Sequence, residues 1–191
     1  PTVWAEPWTP AGYSWLPRPP PPGIGETAHD SRVALADWSE LDAILACRPD
    51  PATARPAPCP EDPFPRGDRY TAIHWWNGLF ERAWHLRGME NLLADMQTDP
   101  VPVHRLFEAI TDFNCAIIGR AAREHAVDGV WITDDLGAQT GPLFSLEMFR
   151  RFCKPCYARM IRTAHENGMH FWLHSCGRID IFLEDLIAIG L

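Results

Sequence analysis

A chain of 191 residues with net charge −8, carrying 17 Lys and Arg against 25 Asp and Glu, is long enough for one buried core and lacks the clustered basic residues that nucleic acid or anionic lipid demands. No apolar run approaches 18 residues, so a membrane span is not expected. Six irregularly spaced cysteines do not make a secreted disulfide framework, and free thiols in a reducing cytoplasm are the expectation.

Composition divides the chain near Gly67, because fifteen of its 19 prolines fall before residue 66. Residues 1–66 read as a proline-rich amino-terminal arm. Trp4, Trp8, Tyr13 and Trp15 lie among prolines that end in the run Pro17 to Pro22, a stiff polyproline connection with aromatics placed to pack on something else. Asp37 to Cys47 has the spacing of one short amphipathic helix, and proline-rich loop returns from Arg48 to Arg66.

Residues 67–191 change to alternating strands and helices. Tyr70 to Trp76 is rich in β-branched and aromatic residues and predicts a strand, followed by helical runs on either side of Gly88. Asp99 and Pro100 open a long helix whose apolar positions Leu106, Ile110, Phe113, Ile117 and Ala121 fall on one face. A second strand, Val130 to Thr133, ends in Asp134 and Asp135. After a glycine-bearing loop, Ser145 is placed to cap a helix reaching Asn167, in which Pro155 must force a kink or a fresh start. The third strand lies in His170 to Arg178, HFWLHSCGR, and Asp180 to Ile189 is again amphipathic. Alternation of this length implies βαβ units around a parallel sheet. The chain starts at Pro1 and stops at Leu191 just after a helix-like run, so it is read as truncated at both ends.

In parallel α/β folds the carboxyl ends of strands build the sites. Three strand ends here carry unusual side chains: His74, Trp75 and Trp76; Asp134 and Asp135; His174 and Cys176. His174 and Cys176 are two residues apart in extended or turning backbone, so they share a side and can hold one ion, and an imidazole with a thiolate favours zinc over magnesium or calcium. The same pair is compatible with a packed histidine and a small buried thiol. Asp134 and Asp135 are adjacent in a strand and face opposite ways, so one points into the site while the other caps a loop or helix. Both are candidate catalytic residues, and Gln139 adds an amide in the following loop. Cys153 and Cys156 spell CxxC but sit in mid-helix, where core packing outweighs redox chemistry.

Thr133 to Ile179, with its strand ending in Asp, G-x-Q loop, proline within the next helix and strand ending H-x-C-G, resembles the uroporphyrinogen decarboxylase superfamily, in particular its decarboxylase-like and corrinoid methyltransferase branch. The likeness extends more weakly back to about Asp68 through LRGMENLLADMQTDP. It implies an α/β fold of the (β/α)8 TIM barrel kind, present here as an incomplete barrel. By the methyltransferase branch, His174 and Cys176 are zinc ligands with a later cysteine as the third. The implied enzyme moves a methyl group from a methylcorrinoid, carried by a partner corrinoid protein, to a zinc-bound thiol. His74, Trp75, Trp76 and Gln139 would line the substrate pocket, with Asp134 or Asp135 beside them. The alternatives are metal-free decarboxylation of a porphyrinogen and a catalytically silent barrel that binds a partner. The decarboxylase proper uses amino-terminal arginines, and Arg18 and Arg32 lie in unsuitable surroundings. A half-barrel would leave sheet edges and apolar faces open, so aggregation or homodimerisation is expected.

Overall fold

The computed structural model describes residues 2–5, 33–52, 55–57 and 67–191. The expected polyproline run, Trp8, Tyr13, Trp15, Arg18 and Arg32 lie outside them. The described chain is a mixed α/β structure around one five-stranded sheet. Its elements are β1 (Thr2–Ala5), a 3₁₀ turn at Trp38–Glu40 leading into α1 (Leu41–Ala46), β2 (Arg55–Ala57), β3 (Ala72–Trp75), α2 (Phe80–Arg87), α3 (Met89–Thr98), α4 (Pro100–His125) and β4 (Gly129–Thr133). There follow α5 (Leu146–Met148), α6 (Lys154–Glu166), β5 (His170–His174), a 3₁₀ turn at Asp180–Phe182 and α7 (Leu183–Ala188).

The strand order is β2-β1-β3-β4-β5, with β1, β3, β4 and β5 parallel and β2 antiparallel on the outer side of β1. The two amino-terminal strands differ from the extended connection and loop that the prolines suggested. Pro56 lies within β2 and has no N–H to donate, and it is tolerated because β2 is the sheet's edge. From β1 to β5 the parallel strands step across the sheet in one direction without reversal.

Alternate strand residues Ile73, Trp75, Val130, Ile132 and Phe171 are buried in one core with Phe80, Phe107, Ile110, Ile117, Tyr157 and Ile161 from the helices, and α4 packs along α6. The face that the long-helix spacing predicted, Leu106, Ile110, Phe113, Ile117 and Ala121, is buried throughout. The other face of the sheet is lined in register by His74, Trp131 and Trp172, the two tryptophans 44% and 54% exposed.

Ser145 caps the predicted helix through its hydroxyl, which accepts from Met148 N at 3.2 Å. Pro155 leaves its mark one turn earlier than a simple break: Phe149–Cys153 adopts π-helical geometry, which relieves the clash of the proline ring with the preceding turn and lets α5 run on into α6. Asp185 then ties α7 back to this helix through Arg150 Nε at 2.6 Å and Lys154 Nζ at 2.5 Å.

Candidate functional site

The carboxyl ends of β4 and β5 lie side by side, Thr133 opposite His174. The loops that follow them are joined by a ladder of hydrogen bonds. Asp134 N donates to His174 O at 2.9 Å, Leu136 N to Ser175 Oγ at 2.8 Å, Cys176 N to Asp135 Oδ1 at 2.6 Å and Arg178 N to Ala138 O at 2.9 Å. Two glycines allow this approach. Gly177 has φ +77°, and a Cβ there would overlap the backbone of Gly137, while a Cβ on Gly137 would press on the backbone of Arg178. Gly177, just past the end of β5, therefore seats one loop against the other.

This ladder brings Asp135 to the predicted pair. His174 Nε2 is 3.3 Å from Cys176 Sγ and 3.7 Å from Asp135 Oδ1, and the donor atoms of all three lie within 4.8 Å of one another. A zinc ion with bonds of roughly 2.0–2.3 Å in tetrahedral geometry separates its donors by roughly 3.5 Å, so a nitrogen, a sulfur and an oxygen at these spacings fit it. The donor set is too soft for calcium or magnesium. Asp135 raises the Cys176 thiol above its ordinary pKa, first through their hydrogen bond and then by charge. The neighbouring carboxylate thus favours the protonated thiol, and a cation placed between them would reverse that by outweighing the carboxylate.

Asp134 has a different place. It is fully buried, with Oδ2 accepting from Leu79 N and Phe80 N, each at 3.0 Å, and from the Tyr157 hydroxyl, while Oδ1 accepts from Glu81 N at 2.7 Å. The carboxylate caps the amino terminus of α2 from a neighbouring strand, satisfying amides that have no partner within the helix. Burial pushes its pKa up, opposed by these donors. The alternation expected of the two aspartates is realised, with Asp135 toward the His-Cys pair and Asp134 toward the helix.

The other candidate residues divide between the two sheet faces and the loop. His74 lies on the open face with its ring 4.8 Å from Trp131 and 4.9 Å from Trp76. Trp75 points into the core and is 7% exposed, while Trp76 is 63% exposed. Gln139 is exposed in the loop after β4. Cys153 and Cys156 are buried. Burial raises the Cys153 thiol well above its ordinary range and that of Cys156 to about 11, so both are poor nucleophiles at neutral pH.

The model of the family described as uroporphyrinogen decarboxylase (URO-D) matches residues 77–191, more than half of the chain and the whole of both loops. The chain belongs to the uroporphyrinogen decarboxylase family. No curated protein and no solved structure matches it. The family match spans β4, β5 and every residue of the Asp135, His174 and Cys176 cluster. No helix among the described residues is long and apolar enough to cross a membrane.

Glu81 is a further buried acid at this end of the sheet that the sequence did not single out. It is 8% exposed, contacts Thr133 Oγ1 at 3.4 Å and has its pKa pushed up to about 8, chiefly by burial and then by the charges of Asp134 and Asp135. A glutamate in the first turn of a helix reads as an ordinary complement to the helix dipole, so its sequence position carries no warning. Because the folded pKa lies above the unfolded one, the native state binds the extra proton between about pH 4.5 and 8. Stability contributed by protonated Glu81 is therefore intact below that window and lost through it, at about 1.4 kcal/mol per pH unit. In metal-free protein the Glu81→Gln variant is expected to lose less stability than the wild type between these limits. Urea denaturation at a series of pH values measures this, and parallel curves for the two proteins would contradict it.

Proposed function

We propose that this chain is a zinc-dependent methyltransferase of the uroporphyrinogen decarboxylase family, built on a (β/α)8 barrel and moving a methyl group from a methylcorrinoid to a thiol. The observation that carries the reading is the convergence of His174, Cys176 and Asp135 at the carboxyl rim of a parallel sheet. Parallel strands that advance across the sheet without reversing are the order of a barrel rather than of a doubly wound sheet, and the family is one of TIM barrels. Trp131 and Trp172, exposed on the face away from the helices, are then the lining of the barrel interior.

In this account His174, Cys176 and Asp135 would hold the zinc, which would supply Lewis acidity that lets a substrate thiol persist as thiolate at neutral pH. The thiol gives its proton to water at an exposed rim, where His174 and Cys176 are both accessible. The sulfur then takes the methyl group, the S–C bond forming as the Co–C bond breaks and its electron pair stays with cobalt. Asp135 steadies Cys176 through the backbone N–H, and the Leu136 and Ser175 hydrogen bond fixes the spacing of the two loops. Asp134 supports this arrangement from below by anchoring α2. The corrinoid arrives on a partner protein.

The test is methyl transfer from methylcobalamin to 2-mercaptoethanol by the zinc-loaded chain, followed by the loss of the methylcobalamin absorbance. Demethylation that falls at least about 100-fold in the Cys176→Ala variant is the expected outcome. Turnover of a porphyrinogen by metal-free protein, with no demethylation, would favour decarboxylation instead.

A further inference from the structure

We infer that Glu81 is a positioning residue for the cluster of Asp135, His174 and Cys176, its carboxyl group holding the Asp135 main chain so that Oδ1 meets the loop after β5. The inference rests on the metal-site reading above and adds to it the residue that decides where the oxygen donor sits.

The backbone groups of successive strand residues point alternately to the two neighbouring strands. At the end of β4 the even-numbered residues face β5, Asp134 N donating to His174 O at 2.9 Å and Leu136 N to Ser175 Oγ at 2.8 Å. The odd-numbered residues face the segment between β3 and α2, where Thr133 O accepts from Gly78 N at 2.8 Å. Asp135 N therefore points toward the start of α2, and the Glu81 carboxyl group is its acceptor there. Asp135 is held from two sides, by Glu81 at its N–H and by Cys176 N, which donates to Oδ1 at 2.6 Å.

Two further contacts fix Glu81 itself. Its N–H donates to Asp134 Oδ1 at 2.7 Å, and Oε2 lies 3.4 Å from the Thr133 hydroxyl. Asp134 and Glu81 thus clasp α2 and the end of β4 reciprocally, each carboxyl group taking an amide from the other's segment, the exchange that a capping box makes within one helix. Gly78 lets the two segments come this close, since a Cβ on it would overlap Ile132 and approach Asp134. Glu81 is 8% exposed, and burying a third carboxyl group beside Asp134 and Asp135 works against folding. Departures of this kind from the pattern of a stable core concentrate at functional sites. Here the departure lies one hydrogen bond from the main chain of a cluster residue.

The experiment titrates the full chain with cobalt(II), whose visible bands report the donors around it and whose affinity is read from the same spectra. Glu81→Met, which fills the space without an oxygen, and Glu81→Ala are each expected to bind cobalt(II) about 10- to 100-fold more weakly than the wild type, with altered bands. Glu81→Gln keeps an acceptor for the Asp135 N–H and is expected to retain the wild-type bands and affinity. In an Asp135→Ala background Glu81→Met is expected to cost nothing further, because its effect passes through the oxygen donor, whereas a general loosening of the fold would multiply the two losses. Wild-type bands and affinity in both Glu81→Met and Glu81→Ala, a Glu81→Gln protein as weak as these, or losses that multiply in the Asp135→Ala background overturn the role of Glu81 and leave the metal site standing. A wild type that develops no cobalt band overturns the metal site and this role with it.

Discussion

Replacing Asp134 with alanine is expected to lower the unfolding free energy by at least about 3 kcal/mol, the loss of a helix cap together with buried donors left unpaired. Three amides at the start of α2 and the Tyr157 hydroxyl converge on this one fully buried carboxylate. Removing it leaves all four without their acceptor in the interior. Asp134→Asn keeps one acceptor oxygen but turns an NH₂ toward donors, so an intermediate loss is expected. Tyr157→Phe removes a single donor and should cost about 1–2 kcal/mol. Urea unfolding followed by tryptophan fluorescence ranks the three. An Asp134→Ala protein as stable as the wild type would show that the carboxylate is not the tie between β4, α2 and α6.

Gly177→Ala is expected to weaken zinc binding by about 10- to 100-fold while leaving the helices intact, the size of effect that follows from disturbing groups that orient metal ligands. The residue contacts no metal donor directly. Its φ of +77° costs an alanine about 1–2 kcal/mol, and its Cβ would collide with the backbone of Gly137. To escape, the loop after β5 must lift from the loop after β4. That motion breaks the bond from Cys176 N to Asp135 Oδ1 and separates the oxygen donor from the nitrogen and sulfur. Competition with a chromogenic chelator measures the affinity, and unchanged circular dichroism separates loop lifting from unfolding. Wild-type affinity in this variant would mean that the backbone contact between Gly137 and Gly177 does not set the site.

These two residues also mark how far the sequence could be read. The parallel strands at β3, β4 and β5 announced themselves through β-branched and aromatic runs, and the four-three spacing of α4 named its buried face. His174 and Cys176 stood out because a strand ran straight into them. Strands β1 and β2 did not, since each is three or four residues long among prolines and is held by the sheet rather than by its own propensity. Adjacent Asp134 and Asp135 look alike in sequence, and only the placement of α2 over the end of β4 decides which one is a cap. Glu81 gave no signal because burial, not spacing, makes it unusual. Trp75 and Trp76 were grouped by proximity, whereas the two-residue period of a strand sends the former into the core. The third donor of the cluster came from a different loop, and no local pattern relates residues 135 and 174.

The account stands most directly on the zinc content of the purified chain, measured by elemental analysis in the wild type and in Asp135→Ala, His174→Ala and Cys176→Ala. Close to one zinc per chain in the wild type, much reduced in each variant, is the predicted result. A wild type without zinc, or a Cys176→Ala protein that retains its full complement, would contradict the metal site.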